Sequence, residues 1–146
     1  MTDKIDLSVI IPVYNEAKTC AEIIKRVQAI SIVNEIIVVD DASTDGTIDI
    51  LEAMDNIKVI RHEKNKGKGA AVRTGLAHVQ GNYVITQDAD LEYDPNDYLK
   101  LAEPMLAGSA EVVYGSRWLN KPIEWNIHYL INQMITLFAN VFNGVF

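Results

Sequence analysis

Residues 35–47 read EIIVVDDASTDGT. The β-branched residues Ile36, Ile37, Val38 and Val39 run without a polar break into two adjacent carboxylates, Asp40 and Asp41. A continuous apolar run bounded by turn formers predicts a strand buried on both faces, and such strands belong to parallel sheets covered by helices. Ser, Thr, Asp and Gly follow, and then TIDILEAM, which has a helical pattern. Ser43 or Thr44 is expected to cap that helix, and Gly46 to relax the turn before it. Strand, polar rim and helix together form the unit from which the rest of the chain can be read.

The unit recurs. LSVIIPVY (7–14) is a strand, and EAKTCAEIIKRVQAI (16–30) places Ile23, Ile24, Val27 and Ile30 on one helical face. IKVIRH (57–62) is a third strand, and NKGKGAAVRTGLAHV (65–79) opens as a loop and becomes a helix. NYVITQ (82–87) is a fourth strand. DPNDYLKLAEPML (94–106) is a helix with Pro95 near its start and Pro104 near its end. AEVVYGS (110–116) is a fifth strand. Strands alternating with helices predict an α/β fold with a mostly parallel central sheet. Ligands of such sheets bind beyond the carboxyl ends of the strands. That rim collects PVYNE, DDASTDGT, QDAD and GSRW.

Composition narrows the function. The 146 residues suffice for one domain with a real core, and 49% hydrophobic with 23% charged residues is an ordinary globular balance. A formal net charge of −7 argues against nucleic acid as the main partner but leaves room for a nucleotide held through a metal ion. Cys20 is the one cysteine, so it predicts a small buried residue in a reducing, cytoplasmic setting. The N-terminal MTDKIDLS shows no apolar core of a secretory leader. His62, His78 and His128 have no metal-ligand spacing, and His78 reads as a surface or packing residue.

QDADLEYDP (87–95) crowds acids at the end of the fourth strand. Crowded carboxylates repel, so a cation is expected among them. If the chain remains extended, Asp88 and Asp90 point to one side, and the small Ala89 lets a ligand approach. Two carboxylates suit Mg2+ or Mn2+, which complete their shell with phosphate oxygens and water. Asp94 reads as a cap before Pro95. At the end of the second strand, a carboxylate of the Asp40–Asp41 pair can accept hydrogen bonds from a base or ribose. NKGKGAAVR allows close backbone approach and carries Lys66, Lys68 and Arg73, but it lacks the spacing of a P-loop. Lys66 reads as solvated. Arg117 reads either as a phosphate clamp or as a surface arginine.

The ordered set SVIIPVYNE, IIVVDDASTDGT, NKGKGAAVRTGL, VITQDADLEYDP and VVYGSRW resembles the family-2 glycosyltransferases of the GT-A fold, in particular the polyprenyl- and dolichyl-phosphate mannose and glucose synthases. By that resemblance, DAD is the metal-binding motif, with Asp88 and Asp90 as ligands. Glu92 falls where relatives often use Gln as a further contact. Pro12, Tyr14, Glu16, Val39, Asp41, Lys68, Asp88, Ala89, Asp90 and Arg117 fall on the nucleotide-sugar side, with Val39 and Asp41 as a base-contacting pair. Asp90 and Arg117 carry the catalytic roles. The resemblance implies inverting transfer of a sugar from a UDP- or GDP-sugar to an acceptor, polyprenyl phosphate above all, at the cytoplasmic membrane face.

The expected organisation is a nucleotide-sugar-binding domain over 1–122 and an apolar amphipathic helix over 123–146. Ile127, Leu130, Ile131, Met134, Phe138, Val141, Phe142 and Val145 fall at helical spacing within it. It reads as the start of an acceptor-side region and as a surface for self-association. Relatives continue past Phe146, so the chain is expected to bind the donor but to transfer it poorly. A donor-binding module without turnover is the alternative of another class. A receiver-like signalling domain would need Lys where Arg117 and Trp118 stand, and a dinucleotide oxidoreductase needs a glycine fingerprint that PVYNEAK lacks.

Overall fold

The computed structural model describes residues 5–115. The chain divides into two compact units, Met1–Val113 and Tyr114–Phe146. The first unit holds the sheet and its helices. The expected helix over 123–146 and Arg117 lie outside the described residues.

Four strands are formed among the described residues: β1 (Leu7–Val13), β2 (Val33–Asp40), β3 (Lys58–Arg61) and β4 (Tyr83–Thr86). All pair in parallel, in the spatial order β3-β2-β1-β4. The helices are α1 (Cys20–Gln28), α2 (Thr47–Glu52), α3 (Lys68–Leu76) and α4 (Tyr98–Leu106), with a 3-10 turn at Pro95–Asp97. The α/β parallel architecture read from the sequence is therefore present.

Alternation along the strands builds two cores. Val9, Ile11 and Val13 of β1 and Ile36 and Val38 of β2 face one side, where Cys20, Ile23, Ile24 and Val27 of α1 and Leu51 of α2 cover them. Ile37 and Val39 face the other side and pack with Ala71 of α3. Gly75 of α3 is a contact requirement, since a Cβ there would stand 2.5 Å from Cγ2 of Ile10. Burial on both faces explains why IIVV carries no polar break. Cys20 is fully buried, as expected, and burial pushes its thiol pKa up.

The strand order carries the main consequence for function. From β1 the chain steps outward through β2 to β3, then returns to the other side of β1 to form β4. The reversal makes the β1–β4 boundary the topological switch point, where the loops leave in opposite directions and open a crevice. The segments leaving that boundary are Tyr14–Glu16 and Gln87–Asp90.

Several expectations change. AEVVYGS forms no strand over residues 110–115, and its remaining residue lies outside the described ones. Gly108, at φ 67°, turns the chain after α4, and Val112 stays two-thirds exposed, so it is not packed as a core strand residue would be. Ser43 and Thr44 do not cap α2, whose cap position is Gly46 at φ 89° with no side-chain bond. The chain does not remain extended to Asp90. β4 ends at Thr86, Ala89 and Asp90 lie in a turn, and Leu91 adopts φ 65°.

Candidate functional site

The site is built from the carboxyl ends of β1, β2 and β4. Asn15 (φ 57°), Ala42 (φ 65°) and Leu91 (φ 65°) hold left-handed backbone just past those ends. For Ala42 and Leu91 this costs about 1 kcal/mol or more each, so the surrounding contacts must enforce it.

Those contacts are visible at β1 and β2. The Asn15 amide N–H donates to Ser43 Oγ at 2.9 Å, and the Thr44 amide returns a bond to Asn15 Oδ1 at 2.9 Å. The Glu16 amide donates to Thr47 Oγ1 at 2.9 Å, and the Ala17 amide to Asp45 Oδ2 at 3.1 Å. The Thr47 hydroxyl also donates to Asp45 and holds its carboxyl below the usual carboxylate range. DDASTDGT thus spends its hydroxyls on stitching the β1 and β2 loops together.

Asp40 and Asp41 both turn inward. Asp40 is fully buried; its Oδ1 accepts from the Ser43 amide at 3.1 Å. Its Oδ2 lies 3.3 Å from Arg61 Nε, an ion pair by distance in which Oδ2 makes no hydrogen bond. Asp41 accepts from His62 Nδ1 at 2.6 Å, from the Lys66 amide at 2.9 and 3.1 Å, and from the Gly67 amide at 2.7 Å. Burial opposes the charged form of Asp41. The bonds from His62 and the two amides outweigh burial and hold its carboxyl below the usual range. The other nitrogen of His62 meets Thr74 Oγ1 on α3 at 2.9 Å. One buried carboxylate therefore fixes the loop that leads into α3. Gly67, at φ 87°, stands at the α3 cap position without a side-chain cap.

The end of β4 differs. Gln87 is buried, donating through Nε2 to the carbonyls of Asp88 (3.0 Å) and Tyr93 (3.4 Å) and accepting at Oε1 from the Tyr98 hydroxyl (2.6 Å). Burial raises the pKa of the Tyr98 phenol. The DAD segment thus hangs from a polar hub anchored on the first residue of α4. Ala89 is buried in the main core, Asp88 is half-buried and Asp90 is exposed. Asp90 Oδ1 accepts from the Glu92 amide at 3.0 Å. Asp88 Oδ1 lies 2.6 Å from Lys68 Nζ. Asp94 accepts from the Asn96 amide at 3.0 Å, the capping role expected of it.

The sequence-predicted residues sort as follows. Lys68 and Asp88 are brought into contact, with Ala89 and Asp90 adjacent on the same loop. Pro12 is half-buried within β1, and Tyr14 is half-exposed just past it. The Glu16 carboxylate accepts from the Thr19 hydroxyl at 2.7 Å. The Val39 side chain is wholly buried against α3, so it offers no side-chain contact to a ligand. Among the described residues, no three Asp, Glu, His or Cys side chains gather around one point, so Glu92 does not join Asp88 and Asp90 in a cluster. Two carboxylates beside a diphosphate still meet the needs of Mg2+ or Mn2+, which take one or two protein carboxylates and fill the rest from phosphate and water. The donor set fits such an ion.

His62, Thr74, Gln87 and Tyr98 were missed. His62 has no motif spacing, and its role depends on β2 and α3 meeting it in space. Gln87 offered a faint signal, since it is a polar residue closing an apolar run.

The sequence profile of Glycosyl transferase family 2 matches residues 8–143. The chain belongs to this family. Its similarity to the UDP-N-acetylglucosamine–dolichyl-phosphate N-acetylglucosaminyltransferase of Methanococcus voltae is 36% identity over 139 residues, covering 82% of this chain and 55% of that protein. To the dolichol-phosphate mannosyltransferase of Pyrococcus furiosus it is 38% over 118 residues, covering 77% and 33%. A solved mannosyltransferase of Pyrobaculum calidifontis in complex with GDP-Man and Mn2+ superposes with a TM-score of 0.60 at 32% identity, covering 69% of this chain and 32% of that one. The chain thus spans between a third and about half of the curated relatives' length. The glycosyltransferase family and its GT-A fold, expected from the sequence motifs, are both present.

Proposed function

We propose that this chain binds a nucleotide diphosphate sugar through its β1–β4 rim and serves a glycosyltransferase whose acceptor is a polyprenyl phosphate. The observation that carries the reading is the placement of Asp88 and Asp90 at the switch point of the sheet, beside Lys68 on the first turn of α3. An acidic pair that is not absorbed into the fold, with a cation next to it, suits a metal–diphosphate group.

Asp88 and Asp90 would hold Mg2+ or Mn2+, which supplies charge neutralisation of the diphosphate when bound. Lys68 and the α3 N-terminus add fixed positive potential where negative charge grows on the leaving diphosphate. Asp41 acts on the donor through the loop it holds, as a positioning residue. Pro12 and Tyr14 flank the crevice on the β1 side. Glu92 is the further acid on the same loop that the family resemblance points to, and Arg117 carries the phosphate-clamping role expected from that resemblance. The bond between the sugar C1 and the diphosphate oxygen breaks as one forms from C1 to an acceptor oxygen. A single displacement of this kind inverts the anomeric centre. A phosphate acceptor is already anionic near neutral pH, so this step needs no strong base.

The dolichyl-phosphate acceptors named for two relatives support a lipid acceptor. They also support a peripheral position at a membrane, with self-association through 123–146 as a further expectation. Among the described residues no helix is long and apolar enough to cross a membrane. A thermal-shift panel of UDP, GDP and their sugars, with and without Mn2+, tests donor binding. A metal-dependent rise in Tm with one nucleotide family supports the reading, and no shift with any of them sinks it. Transfer of labelled sugar to undecaprenyl phosphate tests the acceptor, and labelling of water alone contradicts a lipid acceptor.

A further inference from the structure

Lys68 and Asp88 come from elements far apart in sequence that meet on one rim. Lys68 is the first residue of α3, and Asp88 stands two residues past β4. Their charged atoms are 2.6 Å apart. The position of Lys68 is set by the frame, because the preceding Gly67 donates its amide to buried Asp41. The site therefore contains a cation of the chain's own. No third carboxylate, His or Cys joins Asp88 and Asp90 among the described residues.

A divalent ion arriving alone competes with the Lys68 ammonium for the Asp88 carboxylate and gains only Asp90 as a second carboxylate. An ion arriving with a diphosphate meets a different balance. Asp88 passes from Lys68 to the metal, and Lys68 passes from Asp88 to a phosphate oxygen. The number of opposite-charge contacts is kept, no proton moves and no covalent bond changes. We infer that Lys68 is the resident counter-cation of Asp88, and that it makes metal and nucleoside diphosphate bind together rather than metal first. The inference deepens the proposed donor site and rests on it.

The sign of the expected effect is unusual. A lysine that bound phosphate away from the metal's ligands would leave the affinity for free metal nearly unchanged when removed. A lysine that occupies the metal's ligand raises that affinity when removed. The full chain is titrated with Mn2+ alone, following free Mn2+ by electron paramagnetic resonance. Wild type is compared with K68M, with K68R, and with K66M as a charge control from the same exposed loop. K68M is expected to bind Mn2+ about fivefold more tightly than wild type, the effect of removing one charge at contact distance in water. K68R and K66M are expected to stay near wild type. With Mn2+ present, UDP or GDP binding to K68M is expected to fall severalfold. If K68M fails to fold, K68Q carries the same comparison.

A Mn2+ affinity for the neutral variant equal to or below wild type, or no Mn2+ binding by it at all, overturns the inference. An equal gain in K66M also overturns it, since that would be a general field effect. If neither UDP nor GDP binds wild type, the donor reading fails, while the Mn2+-only comparison still reports on the Lys68–Asp88 exchange.

Discussion

At the end of β2 the acids turn inward, and at the end of β4 they turn toward the rim. Asp40 and Asp41 are both buried, and between them they accept from His62 and from the amides of Ser43, Lys66 and Gly67. Asp88 is half-buried and touches Lys68, and Asp90 is exposed. The two stretches, DDA and DAD, are nearly the same in composition. What separates them is the next element. After β2 the β3 end and the α3 loop close over the carboxylates, saturating Asp41 with hydrogen bonds and pairing Asp40 with Arg61. After β4 the chain turns at once, and Gln87 and Tyr98 hold the loop from beneath while its acids stay outside. Acids that the fold has buried act as frame, and acids left at the rim are there for a ligand.

Substitutions break this division unequally. The largest loss of stability is expected at Asp41. Asp41→Ala strands His62 Nδ1 and the Lys66 and Gly67 amides, and should cost about 3 kcal/mol, at the upper end for bonds to a charged acceptor. Urea denaturation reads it, and a loss under 1 kcal/mol would mean that Asp41 is not the frame's anchor.

The same carboxylate gives the frame an acid limit. Its folded pKa lies below the ordinary value. The stabilisation is therefore complete above about pH 4, the unfolded carboxylate value, and is lost as the pH falls through the lower folded value. The stability gap between wild type and Asp41→Asn should shrink below about pH 4. A gap that stays constant down to pH 2 contradicts the assignment.

A smaller effect is expected behind the β4 rim. Tyr98→Phe leaves the buried Gln87 Oε1 without its donor and should cost about 1–2 kcal/mol. Because Gln87 carries the Asp88 and Tyr93 carbonyls, the variant should also loosen metal-dependent nucleotide binding, which calorimetry would register. The smallest effect on stability is expected at the rim itself. Asp88→Asn and Asp90→Asn should each shift unfolding by less than about 0.5 kcal/mol, as for partly exposed pairs. A shift above 2 kcal/mol at either position would erase the contrast between the two ends.

Much of this was legible in the sequence. IIVV and SVII, bounded by turn formers and alternating with helical stretches, point to strands buried on both faces, as in a parallel sheet between helices. The DAD pair was recognisable because acids at a strand end are costly without a purpose. The inward turn of Asp41 was not legible. It depends on His62 and on the amides of Lys66 and Gly67, 21 to 26 residues away, whose relevance exists only in the folded chain. Ser43 and Thr44 misled for a related reason. Hydroxyls in front of a helix usually cap it, but here both hydroxyls bond to Asn15 in the β1 loop instead. The Lys68–Asp88 contact likewise needs α3 and β4 to share a rim, which the order of elements along the chain does not state.

The division between frame and ligand acids is tested most directly by calorimetric titration of the nucleotide that the panel selects, into wild type and Asp90→Asn, each with and without Mn2+. Wild type should bind far more tightly with the metal than without it. Asp90→Asn should bind weakly and equally in both conditions, with unchanged thermal stability. A variant that loses the same factor of affinity whether or not Mn2+ is present would contradict the account, because the rim carboxylate would then act without the cation it is proposed to hold.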